Sequence, residues 1–253
     1  MNAAVFAVEN IPLIKKGDDI ARIFLQRAQL QEHDIFVISS TVVSKSEGRI
    51  ISLETVKPTE RAKHIAMKNK IDLRFVQAVL DESMEILLDS PFLLVRLKNG
   101  NICVNAGIDH SNVEGCDNVL LLPEDPDKSA LDLKRSLFDY TGKNISVIIT
   151  DTNGRAFRTG QTGAAIGCAG IKPTRDWRGT KDLFGRILEV KNEGIADEIA
   201  GFANIMMGEG NGGIPIVIIR GLDLYNDSNG IKELYRPESE DVIRKAILKS
   251  RSI

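Results

Sequence analysis

Short runs of bulky apolar residues that break off into polar or glycine-rich segments limit what this chain can become. Ile35-Phe36-Val37-Ile38 reads as a buried strand and runs into Ser39-Ser40-Thr41. Ile145 to Thr150 reads the same way and delivers Asp151 at its C-terminal end. Ile102-Cys103-Val104 leads into a loop from Asn105 to Asn112, and Ile214 to Ile219 follows the glycine-rich run Gly208 to Gly213. Rigid strands that feed exposed loops are the common layout of binding sites.

Helical signals alternate with these strands. Asp18 to Leu30 places Ile20, Ile23, Phe24 and Leu30 at amphipathic spacing after Gly17. Thr59 to Glu82 is helical with a break near Ile71-Asp72, and Asp127 to Tyr140 lies between Pro126 and Gly142. Gly194 to Met206 sets Ile195, Ile199, Phe202, Ala203 and Met206 on one face. Asn99-Gly100 marks a hairpin between Phe92–Lys98 and Asn101–Val104. From Asn226 the tail is polar, then helical. No repeat or linker divides the chain, so a mixed α+β architecture in one domain over residues 1–253 is expected.

Composition narrows the function classes. A net charge of -2 argues against nucleic acid as the main partner, because phosphate backbones recruit an excess of Lys and Arg. The first residues lack a basic start and an apolar run, and no stretch is long enough to span a bilayer. Cys103, Cys116 and Cys168 stand apart and fit reduced thiols. A cytoplasmic protein without a membrane partner is the expectation.

Three segments carry possible chemistry, and each has a plainer reading. Asp109 and Asn112 offer hard oxygen ligands suited to Mg²⁺ or Mn²⁺, but an Asx-rich turn that caps itself has the same composition. Asp151-Thr152-Asn153-Gly154-Arg155, with Arg158 and Gln161, suits a metal–phosphate site; otherwise it is a surface loop whose arginines pair with nearby acids. Met207-Gly208-Glu209-Gly210-Asn211-Gly212-Gly213 can form an anion-binding nest, or only join a helix to a strand. No Walker-A pattern occurs, no G-x-G-x-x-G follows an early strand, and His33, His64 and His110 lack metal spacing. His110 and Trp177 suit packing as readily as a site.

Taken together, these segments resemble the coenzyme F-420-0:L-glutamate ligase family of archaea and actinobacteria. The resemblance rests on Ile11-Pro12-Leu13-Ile14, Ser40-Thr41 with Lys45, Asn105 to Asn112 and Asp151 to Arg155. It continues through Gly167 to Gly185, with Asp176, Gly179, Asp182, Leu183 and Gly185. Ala196-Asp197-Glu198-Ile199-Ala200 and Met207 to Arg220 complete it. It covers nearly the whole chain, and the length matches the stand-alone archaeal form.

The resemblance implies a specific chemistry. GTP would activate a terminal carboxylate of the coenzyme as an acyl phosphate, and the amine of L-glutamate would displace the phosphate. A second cycle would add another glutamate through a γ-linkage. Mg²⁺ or Mn²⁺ at two sites and K⁺ are implied, as is an unusual fold of two interlocked lobes in an intertwined homodimer. By the same resemblance, Asp109 and Asp151 would hold one cation, and Thr152 and Glu209 would help hold a second. Arg155 and Arg158 join Asp109 and Asp151 as the catalytic set. Ile11, Pro12, Leu13, Ile14, Ser40, Thr41, Lys45, Asn112, Met207, Gly208, Glu209, Gly210, Asn211, Gly212, Gly213 and Ile214 would line the GTP site. A nucleotide- and metal-binding regulatory protein and a metal-dependent phosphatase are the alternatives.

Overall fold

Three of the apolar runs become strands of one sheet that is covered on both faces, and Ile102-Cys103-Val104 joins a smaller sheet. In a computed structural model, which describes residues 2–250, the chain opens with β1 (Ala4–Val8), α1 (Ile20–Leu25), β2 (Ile35–Ser39) and α2 (Ser40–Glu47). β3 (Ile50–Ser52) leads into α3 (Glu60–Asn69) and α4 (Leu73–Glu82). A three-stranded sheet of β4 (Ser83–Leu88), β5 (Leu94–Leu97) and β6 (Ile102–Val104) comes next. β7 (Asn118–Leu120) returns to pair with β3 and precedes α5 (Pro126–Thr141). Then come the long strands β8 (Ser146–Arg155) and β9 (Arg158–Ile171), and the small pair β10 (Arg175–Asp176) and β11 (Asn192–Glu193). α6 (Ile195–Met207), β12 (Ile216–Arg220), β13 (Tyr225–Asn229) and α7 (Val242–Ser250) follow.

The central sheet has the order β1-β12-β2-β8-β9-β13. Alternate residues of its inner strands feed two cores. Phe36, Ile38, Val147, Ile149, Ile216 and Ile218 pack with Phe24, Leu133 and Leu137 on one face. Ile35, Val37, Ile148, Val217 and Ile219 pack with Ile199, Ala200 and Ala203 of α6 on the other. Burial on both faces is why these strands read as unbroken apolar runs rather than as alternation. Asp34, fully buried, fastens one end of the sheet by receiving Arg220 Nε and Nη2 at 2.8 and 2.7 Å.

Topology brings the polar segments together at the other end. β1 and β2 are both antiparallel to β12, and β8 is parallel to β2. The C-terminal ends of β1 and β2 therefore share an edge with the N-terminal end of β12 and with residue 150 of β8. Residues 9–14, Ser40 and the glycine-rich run leave the sheet there, and Asp151 lies on β8 at the same edge.

The expected hairpin at Asn99-Gly100, the helix after Pro126 and the break before Asp72 are all present. Other expectations need correction. The polar Ser40-Thr41, which no sequence signal assigns to an element, is helical: α2 starts directly at the end of β2, with Val42 and Val43 in the core. Asp151 to Arg155 continues β8 as a strand, because residues 158–164 supply a partner. The strand expected from Ile214 begins at Ile216. α1 ends at Leu25, so Leu30 reaches the core from outside a helix. The buried face of α6 uses Ala196, Ala200 and Met207, whereas Phe202 and Met206 face outward.

Candidate functional site

The parallel pairing of β2 with β8 sets Ser39 opposite Thr150, so the first residue of α2 stands beside the residue after Thr150. Ser40 Oγ donates to Asp151 Oδ1 at 2.8 Å. Burial raises the Asp151 pKa to about 6, and the negative charges of Asp109 and Glu209 push it the same way. The Ser40 hydroxyl and the Thr152 amide oppose that rise by bonding to the carboxylate. Beneath it lies Cys103, whose thiol is held at about 12 by burial and by the Asp151 charge, so it is no nucleophile.

Asp109 arrives from another sheet. Residues 105–107 form a single turn after β6 in which Asn105, Ala106 and Gly107 all have positive φ. A Cβ on Gly107 would lie 2.5 Å from Leu122, so glycine is required there twice over. Backbone bonds in both directions between Asp109 and Leu120 then fix the loop. The Ser111 amide donates to Asp109 Oδ1 at 2.9 Å, and Ser111 Oγ donates to Oδ2. The self-capping Asx turn is thus real, and its carboxylate still acts on Asp151. Asn112 contributes its main chain: Lys45 Nζ, from α2, donates to the Asn112 carbonyl at 2.6 Å. Burial lowers the Lys45 pKa.

Glu209 comes from the glycine-rich run. Its Oε1 accepts from Thr152 Oγ1 at 2.9 Å and from Asn204 Nδ2 at 2.7 Å. Gly208 and Gly213 have positive φ, which accounts for glycine at both. Gly210 and Gly212 do not, and a Cβ there would meet nothing closer than 3.9 Å. Neither backbone conformation nor internal packing calls for glycine at these two positions. Among the neighbouring residues, Asn211 is exposed, Met207 is buried, and Ile214 is half-buried at the entry to β12.

The remaining expected residues are placed unequally. Ile11 and Ile14 anchor their loop in the core, while Pro12 is exposed and Leu13 is 87% exposed. Thr41 is half-buried in the first turn of α2. Arg155 and Arg158 lie at the tip of the β8–β9 hairpin, about 13 Å along the strand from Asp151 at ordinary strand rise. Arg155 donates to the Thr159 carbonyl at 3.4 Å, and neither arginine has an acidic partner among the described residues. His110 stacks on Phe75, and the Arg175 guanidinium lies over the Trp177 ring. Asn204 and Ser111 join the site although sequence reading assigned them no role. Asn204 is a helix residue whose partner lies beyond the helix end, which leaves no local signal. Among the described residues, no three His, Cys, Asp or Glu side chains converge closely enough to hold one ion. A cleft of about 890 Å³ beside α5 is lined by Asp18, Asp19, Glu47, Asp125 and Asp132 together with Lys98, Lys128 and Lys232, and none of the expected site residues lies in it.

Comparison with known proteins places the chain in a family. Residues 9–221 match the family model described as F420-0:Gamma-glutamyl ligase. The chain is 55% identical over 247 residues to the Coenzyme F420:L-glutamate ligase of Archaeoglobus fulgidus, covering 98% of each. It is 52% identical over 250 residues to that of Methanosarcina mazei, covering 98% of this chain and 97% of the relative. With that of Haloarcula marismortui it shares 45% identity over 249 residues, covering 96% of each.

Proposed function

Because the chain belongs to the F420-0:gamma-glutamyl ligase family, we propose that it is a ligase joining L-glutamate to coenzyme F-420-0, with GTP as the energy source. One observation carries the reading. Asp151 is desolvated at the edge of the sheet, fixed by Ser40, and crowded by the charges of Asp109 and Glu209 from distant stretches of chain. Such a carboxylate is fully ionised near neutral pH when a cation joins it.

The donor set fits Mg²⁺ or Mn²⁺, since it offers carboxylate and hydroxyl oxygens and no soft ligand. Asp109 and Asp151 would hold one ion; Thr152 and Glu209 would hold a second. Bound there, divalent cations offset charge on the phosphate oxygens during transfer. The chain's own groups do the rest. Ser40 orients Asp151, while Thr152 and Asn204 orient Glu209. Gly210 and Gly212 leave room for close approach of backbone N–H groups to phosphate. Lys45 brings positive charge to the same edge, and Arg155 and Arg158, both exposed, remain open to a polyanion. The nucleotide would lie along residues 11–14, Ser40, Thr41, Lys45, Asn112 and residues 207–214.

In the proposed reaction a carboxylate oxygen of the coenzyme takes the γ-phosphoryl group, and GDP leaves. The amine of L-glutamate attacks the acyl phosphate carbon, the C–N bond forms, and phosphate departs as the amine loses its proton. A second round adds a γ-linked glutamate. K⁺ assistance and a homodimer belong to the proposal. Exposed Leu183, Phe184 and Val190, between β9 and α6, support a partner surface. Incubation with GTP, Mn²⁺, F-420-0 and glutamate, read by mass, tests the reading. Glutamylated coenzyme with matching GDP is expected. GTP hydrolysis without ligation points to the phosphatase alternative, and binding without turnover to a regulatory protein.

A further inference from the structure

Strand β9 carries one extra residue where the sheet runs into the site. Pairing sets Val147 against Ala169, Ile148 against Cys168 and Ile149 against Gly167, then jumps to Thr150 against Ala165. Ile166 is the surplus residue, a β-bulge just before the position of Asp151. Its consequence lies further out. In an unbroken ladder Ala164 would oppose Thr152; with the bulge, Gly163 does. Gly163 is where α6 rests on the strand, since a Cβ there would lie 2.6 Å from the Ala200 carbonyl oxygen. A slip of one residue would put an alanine methyl group into that contact, and α6 would lift.

A bulge frees a backbone donor that needs an acceptor. The Ala165 amide donates to Asp197 Oδ1 at 3.0 Å, and Asp197 sits in the first turn of α6. The helix that needs the bulge therefore also fastens it. Just past its other end the same helix delivers Glu209 to Thr152. Asp197 has no cationic partner among the described residues, so its tie to β9 is not explained by ion pairing.

We propose that Asp197 is a positioning residue: by holding the Ala165 amide at the bulge, it fixes the register that seats α6 on Gly163 and sets where Glu209 meets Thr152. This rests on the metal–nucleotide reading of the site. The test measures Mn²⁺ affinity by calorimetry without nucleotide, beside amide hydrogen exchange at Ala165. Asp197→Ala weakens Mn²⁺ binding roughly tenfold or more and speeds exchange at Ala165. Asp197→Asn keeps a side-chain carbonyl acceptor and restores most of both. If Asp197→Ala fails to fold, Gly163→Ala decides: it lifts α6 from the strand, so it loses Mn²⁺ affinity, and Ala165 exchanges faster because Asp197 moves with the helix. Parent-like Mn²⁺ affinity in Asp197→Ala or in Gly163→Ala overturns the inference alone. Equal losses in the Asn and Ala variants overturn it too, because charge rather than register would be at work. A parent that binds no Mn²⁺ removes the metal reading and the inference with it.

Discussion

The β8–β9 hairpin has two halves that obey different physics. Its root, Val147 to Ile149 against Gly167 to Ala169, is wedged between β2 and two hydrophobic cores, and its side chains see no water. Its outer half loses β2 as a neighbour after Thr150, carries Thr, Asn, Gly and Arg, and ends at Phe157, which is 93% exposed. Asp151 stands at the joint. The root supplies rigidity and the outer half supplies access, so a carboxylate there is held in place, partly desolvated, and still reachable. Chemistry collects where a strand loses its second neighbour, because a strand buried on both sides has no room for a ligand.

The sharpest break comes at the joint. Asp151→Asn should lower ligation by about a thousandfold or more, on the order of 4 kcal/mol in the transition state, with the fold retained. The metal-free variant should also be more stable than the parent at neutral pH. The folded pKa of about 6 exceeds the unfolded 3.8, so the parent is favoured at low pH. It loses stability as pH rises through that window, up to about 3 kcal/mol. Thermal melts of both proteins between pH 4 and pH 8 check this; parallel curves would refute the desolvated joint.

At the root, Ile148→Ala should cost about 2–5 kcal/mol in urea unfolding, since it empties a site packed on every side. Glu209→Gln should raise the metal concentration needed for activity roughly tenfold, while GTP affinity without metal stays close to the parent's. Gly212→Val should do the reverse, harming GTP binding far more than folding, as titration calorimetry with and without Mn²⁺ would reveal. The smallest effect belongs to the tip: Phe157→Ala should change stability by no more than about 0.5 kcal/mol. A larger loss, growing with protein concentration, would mean that the tip is covered by a second copy.

Much of the frame was legible locally. Asp72 and Thr59 cap helices through their own side chains, and Asn99-Gly100 turns a hairpin with Gly100 at φ +97. Pro126 and Gly142 bracket α5 from inside its own sequence. Strand β9 gave no such signal. Thr162 to Gly170 is a run of Gly, Ala and Cys around Ile166, with weak strand preference, and only flanking β8 and α6 make it extended. Its glycines answer to neighbours distant in sequence: Gly163 to Ala200, and Gly167 to the main chain of Pro126. Helix α2 was hidden for a similar reason. Ser, Thr and Val are indifferent helix formers, and burial of Val42 and Val43 against the sheet decides the matter.

The sequence by itself therefore determined which segments carry oxygen ligands and phosphate-compatible glycines, because residue type and short-range spacing suffice for that. Only the tertiary structure decided which of them meet. Ser40 reaches Asp151 because β2 and β8 run parallel, and Thr152 reaches Glu209 because α6 lies close on Gly163. Both contacts depend on strand order, register and a single bulge, which are set by packing among residues far apart in the chain. No local pattern encodes such distances; the shared hydrophobic core does.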